Sequence, residues 1–385
     1  MAESVFNNVK ISGISFIIPD NYVYKADDYI HLFENNEKKL SRAKKMVGYG
    51  TRYFAPENIT AVDVCEEAAN DLIENLNIDL SSIDALIFVS QFPDYRTPAS
   101  ASVLHGRLNL PETCAVFDVN QGCTGYVYGL WLASSLIESK ACKKVLLLAS
   151  DNKTKERKEP ENTYSKNVLI FSSGSSATLL EYSENAAPSY YMIGSDGKNF
   201  EAIIAPFGGA RIPLTSEILN TEIEYKDGSK SKLSNGFMDG QAVFYFSINT
   251  VPNHVRELLN FSKSDYSSID YFAIHQANKQ IVETIASDLQ LPEDKYSSDT
   301  FINYGNMSDI SCLSNLIDKK YDDLCSKSNK IALISFGIGL SWASAVINLD
   351  NIYCSGLKFY TFQEEDVKQK HISYWIEKIT NSANE

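Results

Sequence analysis

The sequence has no apolar run long enough to cross a membrane. The longest, around Val145–Ser150, is far shorter than the roughly 20 residues that a spanning helix requires. The N-terminus lacks a basic segment followed by an apolar one, which argues against a secretory signal. The seven cysteines form no CxxC pair, and the five histidines stand in no metal-ligand spacing. These absences predict a cytoplasmic protein with reduced thiols and without a metal site.

An excess of positive charge is also missing. The chain has 35 Lys and Arg against 49 Asp and Glu, which gives a formal net charge of −14. Because an acidic chain repels nucleic acid and anionic membranes, we expect neither as a partner. The 385 residues, 44% of them hydrophobic and 22% charged, are enough for two halves that share a large core.

An internal repeat organises what is present. SSIDALIFVSQ starts at residue 81 and SSIDYFAIHQ at 267, while KKVLLLAS starts at 143 and NKIALISF at 329, so both pairs share an offset of 186 residues. A third pair, FDVNQGCTG and FINYGNMSD, follows in the same order with a slightly shifted spacing. This order predicts a duplicated unit of about half the chain. We therefore expect an N-terminal half over 1–182, a C-terminal half over 183–350 and an extension over 351–385.

Each half alternates helical and strand-like segments. Helices are predicted at 60–75, 124–139, 252–261 and 309–325; strands are predicted at 85–90, 114–119, 144–149, 271–275 and 330–336, with a weaker strand near 300–303. Short apolar runs between helices are typical of a parallel or mixed sheet that helices cover on both faces. Two such halves packed together predict an α/β protein with α/β/α/β/α layers.

Cys123 lies in the window DVNQGCTGY, after a predicted strand and at the start of a buried helix. Gly122 and Gly125 permit a sharp turn and the close approach of a substrate. The unpaired N–H groups and the positive dipole end of a helix favour a thiolate, and therefore a nucleophile. Taken alone, the window fits a small buried hydrophobic residue somewhat better than a nucleophile.

His275 and Asn306 are the other candidates for chemistry. His275 ends a predicted strand, which is where ligands bind in open α/β sheets. Asn306 lies between predicted elements in NYGNMSD. Each alone also fits a structural role, as a core histidine or as a turn or cap residue. The repeat places Cys123 and Asn306 at equivalent positions, so we expect all three residues to converge where the halves meet.

Four motifs in this order resemble the ketoacyl-acyl-carrier-protein synthase III family of thiolase-like condensing enzymes: GCTGY, HQAN, YGNMS and FGIGLSW. The resemblance covers roughly residues 8–350. It implies the thiolase-like five-layer fold of two duplicated halves, a homodimer, and coenzyme A or acyl-carrier-protein thioesters as substrates, without a cofactor or metal. It also implies a β-ketoacyl synthase activity.

The resemblance further implies a role for each matching residue. Cys123 would carry the acyl group, while His275 and Asn306 would stabilise an enolate formed by decarboxylation of a malonyl-type thioester. The backbone N–H groups of Cys123 and Ile338 would form an oxyanion hole. Substrate-binding residues would be Arg52, Phe244, Asn278, Gly337 and Gly339, and carrier docking would use Arg256 and Lys279 with a basic segment, Lys226–Lys232.

Some residues depart from the family pattern. Arg42 and Met46 stand where coenzyme A-primed members carry an adenine-binding Trp and Arg. This departure predicts a carrier-bound donor and a specialised fatty-acid, polyketide or glycan-modification pathway. Three alternatives stay open: non-decarboxylating acyl transfer to an alcohol, amine or sugar, a cysteine thioester hydrolase, and an inactive partner subunit. Asn306 favours condensation over acyl transfer to an alcohol, amine or sugar. The hydrolase is disfavoured because no carboxylate near His275 in the sequence would orient the ring. Cys123 argues against an inactive partner subunit.

Overall fold

A computed structural model describes residues 2–152, 166–224, 230–363 and 367–382. Its strands are β1 Ala2–Phe6, β2 Val9–Pro19, β3 Tyr22–Lys25, β4 Thr51–Phe54, β5 Ala85–Val89, β6 Ala115–Val119, β7 Lys144–Ser150, β8 Ser175–Tyr182, β9 Ser189–Ser195, β10 Ile203–Ile204, β11 Glu222–Glu224, β12 Lys230–Lys232, β13 Phe237–Met238, β14 Tyr271–Ile274, β15 Ser328–Gly337, β16 Ser341–Asp350 and β17 Tyr353–Tyr360. Its α-helices are α1 Glu37–Val47, α2 Ala61–Leu76, α3 Ser100–Arg107, α4 Gly125–Glu138, α5 Ser216–Asn220, α6 Gly240–Phe261, α7 Lys279–Asp288, α8 Asp299–Tyr304, α9 Ser311–Leu324 and α10 Val367–Ser382.

Two sheets organise these elements. The first has six strands in the order β17-β2-β8-β7-β5-β6, and the second has five in the order β1-β9-β16-β15-β14. In each, the strands of the sequence repeat are parallel neighbours: Ile87 on β5 pairs with Leu147 on β7, and Ala273 on β14 pairs with Leu333 on β15. The duplication read from the sequence is therefore a duplication of the parallel strand pair.

Three hydrophobic clusters show how the layers stack. One cluster joins α4 and α9 to the facing sides of both sheets, so these two helices form the central layer. A second packs α2 and α3 on the outer face of the first sheet. A third packs α6 and α7 on the outer face of the second sheet. The predicted α/β/α/β/α layering is confirmed.

The two ends of the chain cross between the sheets. β1, the first strand, pairs antiparallel with β9 in the second sheet, whereas β17 pairs parallel with β2 in the first. The strand β17 thus lies within the segment 351–385 that the sequence sets apart as an extension. The predicted division at residue 182 stays a prediction, because each sheet takes one strand from the other side of that boundary.

One predicted element is wrong, and others are extended. The weak strand near 300–303 is the helix α8, which ends at Gly305 with φ +81°. The helix predicted over 252–261 begins twelve residues earlier and contains Pro252. Most of the charged loop at 152–167 lies outside the described residues. Among the residues that the structure describes, no helix has both the length and the apolar character needed to cross a membrane.

Candidate active site

The Cys123 turn joins β6 to α4. Gly122, at φ +54°, opens a single 3₁₀ turn over 122–124, and α4 follows from Gly125. A Cβ on Gly122 would lie 3.0 Å from Cβ of Ile338, so only glycine lets these two turns approach so closely. Cys123 is 7% exposed and stands at the start of the central helix, as the sequence predicts.

The Gly337–Gly339 turn closes against this cysteine. A Cβ on Gly337 would lie 2.7 Å from Sγ of Cys123. The Ser341 hydroxyl donates to the Ile338 carbonyl over 2.7 Å and lies 2.9 Å from the Thr124 hydroxyl. These contacts hold the backbone of Ile338 beside that of Cys123. The two predicted oxyanion-hole donors therefore belong to neighbouring turns, and their role stays a prediction.

His275 follows β14 and is 2% exposed. Its backbone N–H donates to the Ile334 carbonyl over 2.8 Å, and its ring packs edge-on against Phe336 with the centroids 5.3 Å apart. Burial lowers the pKa of His275 to about 3, and a backbone hydrogen bond to Ser308 opposes this shift only in part. The imidazole is therefore neutral at physiological pH.

The Asn306 side chain has a fixed direction. Its Oδ1 accepts hydrogen bonds from the Ser308 N–H at 2.8 Å and from the Ser311 hydroxyl at 2.9 Å. Because a backbone N–H can only donate, these bonds assign the oxygen and turn the amide nitrogen to the opposite side. Asn306 therefore presents N–H donors, the polarity that an enolate oxygen requires.

Ser308 is where the three predicted catalytic residues meet. Its hydroxyl lies 3.9 Å from Sγ of Cys123, its N–H bonds Asn306, and its backbone bonds His275. The structure thus brings Cys123, His275 and Asn306 together, as the sequence predicts. Sequence reasoning missed Ser308, although its place at the end of the YGNMS motif was an available signal.

Arg52 is placed differently from a substrate contact. It is 1% exposed, and its guanidinium donates to the carbonyls of Leu169 at 2.7 Å and Phe301 at 3.0 Å. Burial lowers the pKa of Arg52 to about 9. The group lies 4.5 Å from the centre of the Phe301 ring and next to Gly305. A buried guanidinium bonded to carbonyls supports the Asn306 loop, and this burial does not favour the predicted substrate contact, which stays a prediction.

Phe244 and Asn278 line a surface cavity of about 340 Å³ beside the second half's outer helices. Asn278 also caps α7, because its Oδ1 accepts the Ile281 N–H over 2.9 Å. A second cavity of about 540 Å³ follows along α7. Lys45 and Met46 line it, so one of the two residues that stand in place of the adenine clamp, Met46, borders a surface depression, whereas Arg42 is not among the lining residues.

Both predicted docking residues have acidic neighbours. Arg256 pairs with Asp288 at 2.7 Å, and Lys279 lies 3.5 Å from Glu283. The Lys226 end of the predicted basic segment lies outside the described residues, while Lys230 and Lys232 stand on β12 opposite the acidic strand β11. In the described ranges no group of three or more His, Cys, Asp or Glu side chains is placed to hold a metal ion.

Comparison with known proteins gives one consistent family. A model described as 3-Oxoacyl-[acyl-carrier-protein (ACP)] synthase III matches residues 117–197, and the model of its C-terminal part matches 259–349. The chain is 38% identical over 358 residues to a Campylobacter jejuni protein named "Putative 3-oxoacyl-[acyl-carrier-protein] synthase 3", covering 92% of this chain and 98% of that one. It is 30% identical to a Beta-ketoacyl-[acyl-carrier-protein] synthase III of Campylobacter concisus, covering 79% of this chain and 86% of the relative.

A solved structure agrees with these sequence matches. The crystal structure of a 3-oxoacyl-(acyl-carrier protein) synthase from Burkholderia xenovorans LB400 superposes with a TM-score of 0.83 at 31% identity. The superposition covers 93% of this chain and 99% of that one.

Proposed function

Because the chain belongs to the 3-oxoacyl-[acyl-carrier-protein] synthase III family of acyltransferases and has its thiolase-like fold, we propose that it acylates Cys123 and then condenses the acyl group with a malonyl-type thioester. The single observation that carries this proposal is the meeting of Cys123, His275 and Asn306 around Ser308 in one buried site. A thiol next to two neutral hydrogen-bonding groups suits both halves of such a reaction.

The first step is acyl transfer to sulfur. The Cys123 thiolate attacks the thioester carbonyl, a carbon–sulfur bond forms, and the carbonyl electron pair moves to oxygen. Backbone N–H groups of Cys123 and Ile338 receive that oxyanion. The intermediate collapses, expels the donor thiolate and leaves the acyl group on Cys123. Gly337 supports this step because it leaves space at the sulfur that a side chain would fill.

The second step is decarboxylation of the extender. The bond between its α-carbon and its carboxylate breaks, carbon dioxide leaves, and the electron pair forms an enolate. His275 and Asn306 stabilise the enolate oxygen through N–H donors. A histidine whose pKa is about 3 is neutral and does not need to gain or lose a proton for this task. The enolate carbon then attacks the acyl–Cys123 carbonyl and releases the Cys123 thiolate, which balances charge across the cycle.

The substrates of this proposal are carrier-bound or coenzyme A thioesters, and the protein needs no cofactor. Arg42 and Met46, in place of an adenine clamp, support a specialised pathway rather than the initiation of bulk fatty-acid synthesis. The same proposal places the protein in the cytoplasm as a homodimer. The edge strand β6 supports a dimer, since it pairs only with β5 within the described chain and leaves one side for a second copy.

One alternative keeps the fold and changes the acceptor: transfer of the acyl group from Cys123 to an alcohol, amine or sugar without decarboxylation. The fixed amide of Asn306 favours condensation, because the alternative needs a base to deprotonate its acceptor and not an enolate donor. Hydrolysis of the acyl–Cys123 would require an activated water, and His275, whose pKa burial lowers to about 3, is too weak a base to favour it.

Acylation is tested by intact mass after incubation with a panel of acyl-carrier and acyl-coenzyme A thioesters. Wild type should gain one acyl mass, and Cys123→Ala should gain none. Cys114→Ala is the matched control, since it removes a buried thiol that precedes β6, at the end opposite to the Cys123 turn, and should still be acylated. An acyl mass on the Cys123→Ala variant, or peptide mapping to another cysteine, would show that the nucleophile is misassigned.

Condensation is tested by release of carbon dioxide from a malonyl thioester. Asn306→Ala should be acylated at Cys123 but lose decarboxylation by about 10²–10³-fold, as when one oxyanion donor is deleted elsewhere. If wild type decarboxylates no malonyl thioester yet transfers acyl groups to a hydroxyl or amine, the alternative replaces the proposal.

A further inference from the structure

A buried carboxylate lies behind the Cys123 site and is not used by the proposed mechanism. Asp151 follows β7 and has no exposed surface. Its Oδ1 accepts the Gln91 backbone N–H over 2.9 Å and lies 3.5 Å from the Ser90 hydroxyl. Its Oδ2 accepts a short hydrogen bond from Nε2 of Gln91. Asp151 therefore holds both the backbone and the side chain of Gln91.

Gln91 passes this orientation to Ser308. Its Nε2 also donates to the Ser308 hydroxyl over 2.8 Å, so both amide hydrogens have acceptors. A flipped amide would point its oxygen at the Asp151 carboxylate and is excluded by repulsion. Gln91 can therefore only donate to Ser308.

The Ser308 hydroxyl is left with its hydrogen to donate. Its oxygen already accepts from Gln91, and its single hydrogen needs another acceptor. Sγ of Cys123 lies 3.9 Å away and accepts a hydrogen bond better as a thiolate than as a thiol. Acceptance from Gln91 draws electron density from the Ser308 oxygen and so strengthens its donation to sulfur, whereas the bond to Asp151 fixes the direction of the Gln91 amide.

The surroundings of Cys123 favour such a donor. Asp309 packs at Gly125, next to the cysteine turn. His275 is neutral and cannot act as a cationic partner of the Cys123 thiolate, so a neutral donor at the sulfur would stabilise the thiolate.

We propose that Ser308 is a further catalytic residue whose hydroxyl donates a hydrogen bond to the Cys123 thiolate, with Gln91 and Asp151 as positioning residues that fix its direction. The inference rests on the proposed function only in taking Cys123 as the nucleophile. It concerns the free enzyme, before any acyl group is bound, and no proton is transferred along the chain of bonds.

The test is the pH dependence of Cys123 alkylation by iodoacetamide, followed by peptide mapping of the full-length protein without substrate. Ser308→Gly removes the hydroxyl and suits the φ of +51° at this position, so folding is retained. Its alkylation midpoint should rise by about one pH unit, with roughly tenfold slower alkylation at pH values below the wild-type midpoint. Gln91→Leu should shift the midpoint in the same direction by a smaller amount.

Ser311→Ala is the matched control, because it removes a hydroxyl that bonds Asn306 and not the sulfur. Its midpoint should equal that of wild type. An unchanged midpoint in Ser308→Gly, or an equal shift in Ser311→Ala, would overturn the inference. The assay is independent of turnover, so a protein that never condenses a malonyl thioester but shows the Ser308 shift would refute the proposed function alone.

Discussion

Three residues with positive φ shape the candidate site. Gly122 at +54° turns the chain into Cys123, Gly305 at +81° precedes Asn306, and Ser308 at +51° lies between all three predicted catalytic groups. A non-glycine residue in this conformation is uncommon and is retained where the surrounding structure fixes it. At Ser308 the surrounding structure is the set of bonds to Asn306, His275 and Gln91, so the unusual backbone and the convergence of side chains have one cause.

A second buried histidine leads to a prediction about stability. His254 on α6 is 2% exposed, and neither ring nitrogen has a hydrogen-bond partner among the described residues. Burial lowers the pKa of His254 to about 4, against about 6.5 in the unfolded chain. The unfolded state thus binds the proton more tightly, so stability is full above pH 6.5 and is lost as the pH falls towards 4.

His254→Leu should therefore make unfolding less dependent on pH. The fall in the free energy of unfolding between pH 7.5 and pH 5 should shrink by about 2 kcal/mol, measured by denaturant titration at the two pH values. The same pH dependence in variant and wild type would show that His254 is not held neutral by burial.

At the scale of elements, the apolar periods predicted most helices and strands, because short buried runs and helical spacing depend on local sequence. α8 was missed for a physical reason. Its residues DTFINY are rich in β-formers, but packing of Phe301 against Arg52 and the left-handed Gly305 end a short helix there. Tertiary contacts override a weak local preference over so few residues.

The residues of the candidate site also divide into those that local sequence predicts and those that depend on tertiary contacts. Cys123, His275 and Asn306 were predictable because each follows a recognisable element boundary and belongs to a motif. Gln91 and Asp151 were not predictable. The bond from Gln91 to Ser308 joins residues 217 positions apart in the chain, and the bond from Gln91 to Asp151 joins residues 60 positions apart. No local pattern marks such contacts.

The loop from α8 to Asn306 gives an element-scale prediction. A Cβ on Gly305 would lie 2.7 Å from Cδ of Arg52 and 2.8 Å from the Ser172 hydroxyl. Gly305→Ala should therefore displace Asn306, lowering carbon dioxide release by roughly 10²-fold while Cys123 is still acylated. Mass spectrometry measures the acyl adduct, and a coupled assay measures carbon dioxide.

Gly106→Ala is the control for that substitution. A Cβ on Gly106 meets nothing within 4 Å, and the position lies in α3, where alanine stabilises a helix by about 1 kcal/mol. It should leave both steps unchanged. Equal loss of acylation and decarboxylation in Gly305→Ala would mean that the whole site had shifted and not the Asn306 loop.

At the scale of the whole molecule, the acyl donor is the main prediction. The net charge of −14 gives an acidic carrier no general attraction to this chain, so the prediction depends on the missing adenine clamp. We expect carrier thioesters to acylate Cys123 faster than matched coenzyme A thioesters, because Met46 lacks the charge and ring of an adenine clamp. That loss corresponds to roughly tenfold weaker coenzyme A binding. Acylation rates from the two donors are compared by mass spectrometry.

Charge reversal locates the carrier surface. Arg256→Glu and Lys279→Glu should slow acylation from the carrier and leave acylation from coenzyme A unchanged, since charges at the rim govern encounter rates. Faster acylation from coenzyme A that is insensitive to both changes would contradict the carrier preference. The ion pairs with Asp288 and Glu283 make a modest effect the expected one.

The C-terminal segment gives a second whole-molecule prediction. Removal of 364–385 deletes α10, whose side chains from residue 370 onward are exposed, and should leave soluble yield and acylation unchanged. Removal of 351–385 also deletes β17 and uncovers the edge of β2, so little soluble protein is expected. Soluble, active protein from the longer deletion would show that β17 is dispensable.

The exchange of terminal strands between the sheets has a consequence for how the protein is made. β1 is synthesised before the other described strands, but its partner β9 emerges only after the whole first sheet except β17 has been synthesised. The edge of β2 stays unpaired until residues 353–360, which form β17, have been synthesised. Nascent chains thus carry unpaired strand edges for most of translation, when they are most prone to aggregate and to need chaperones.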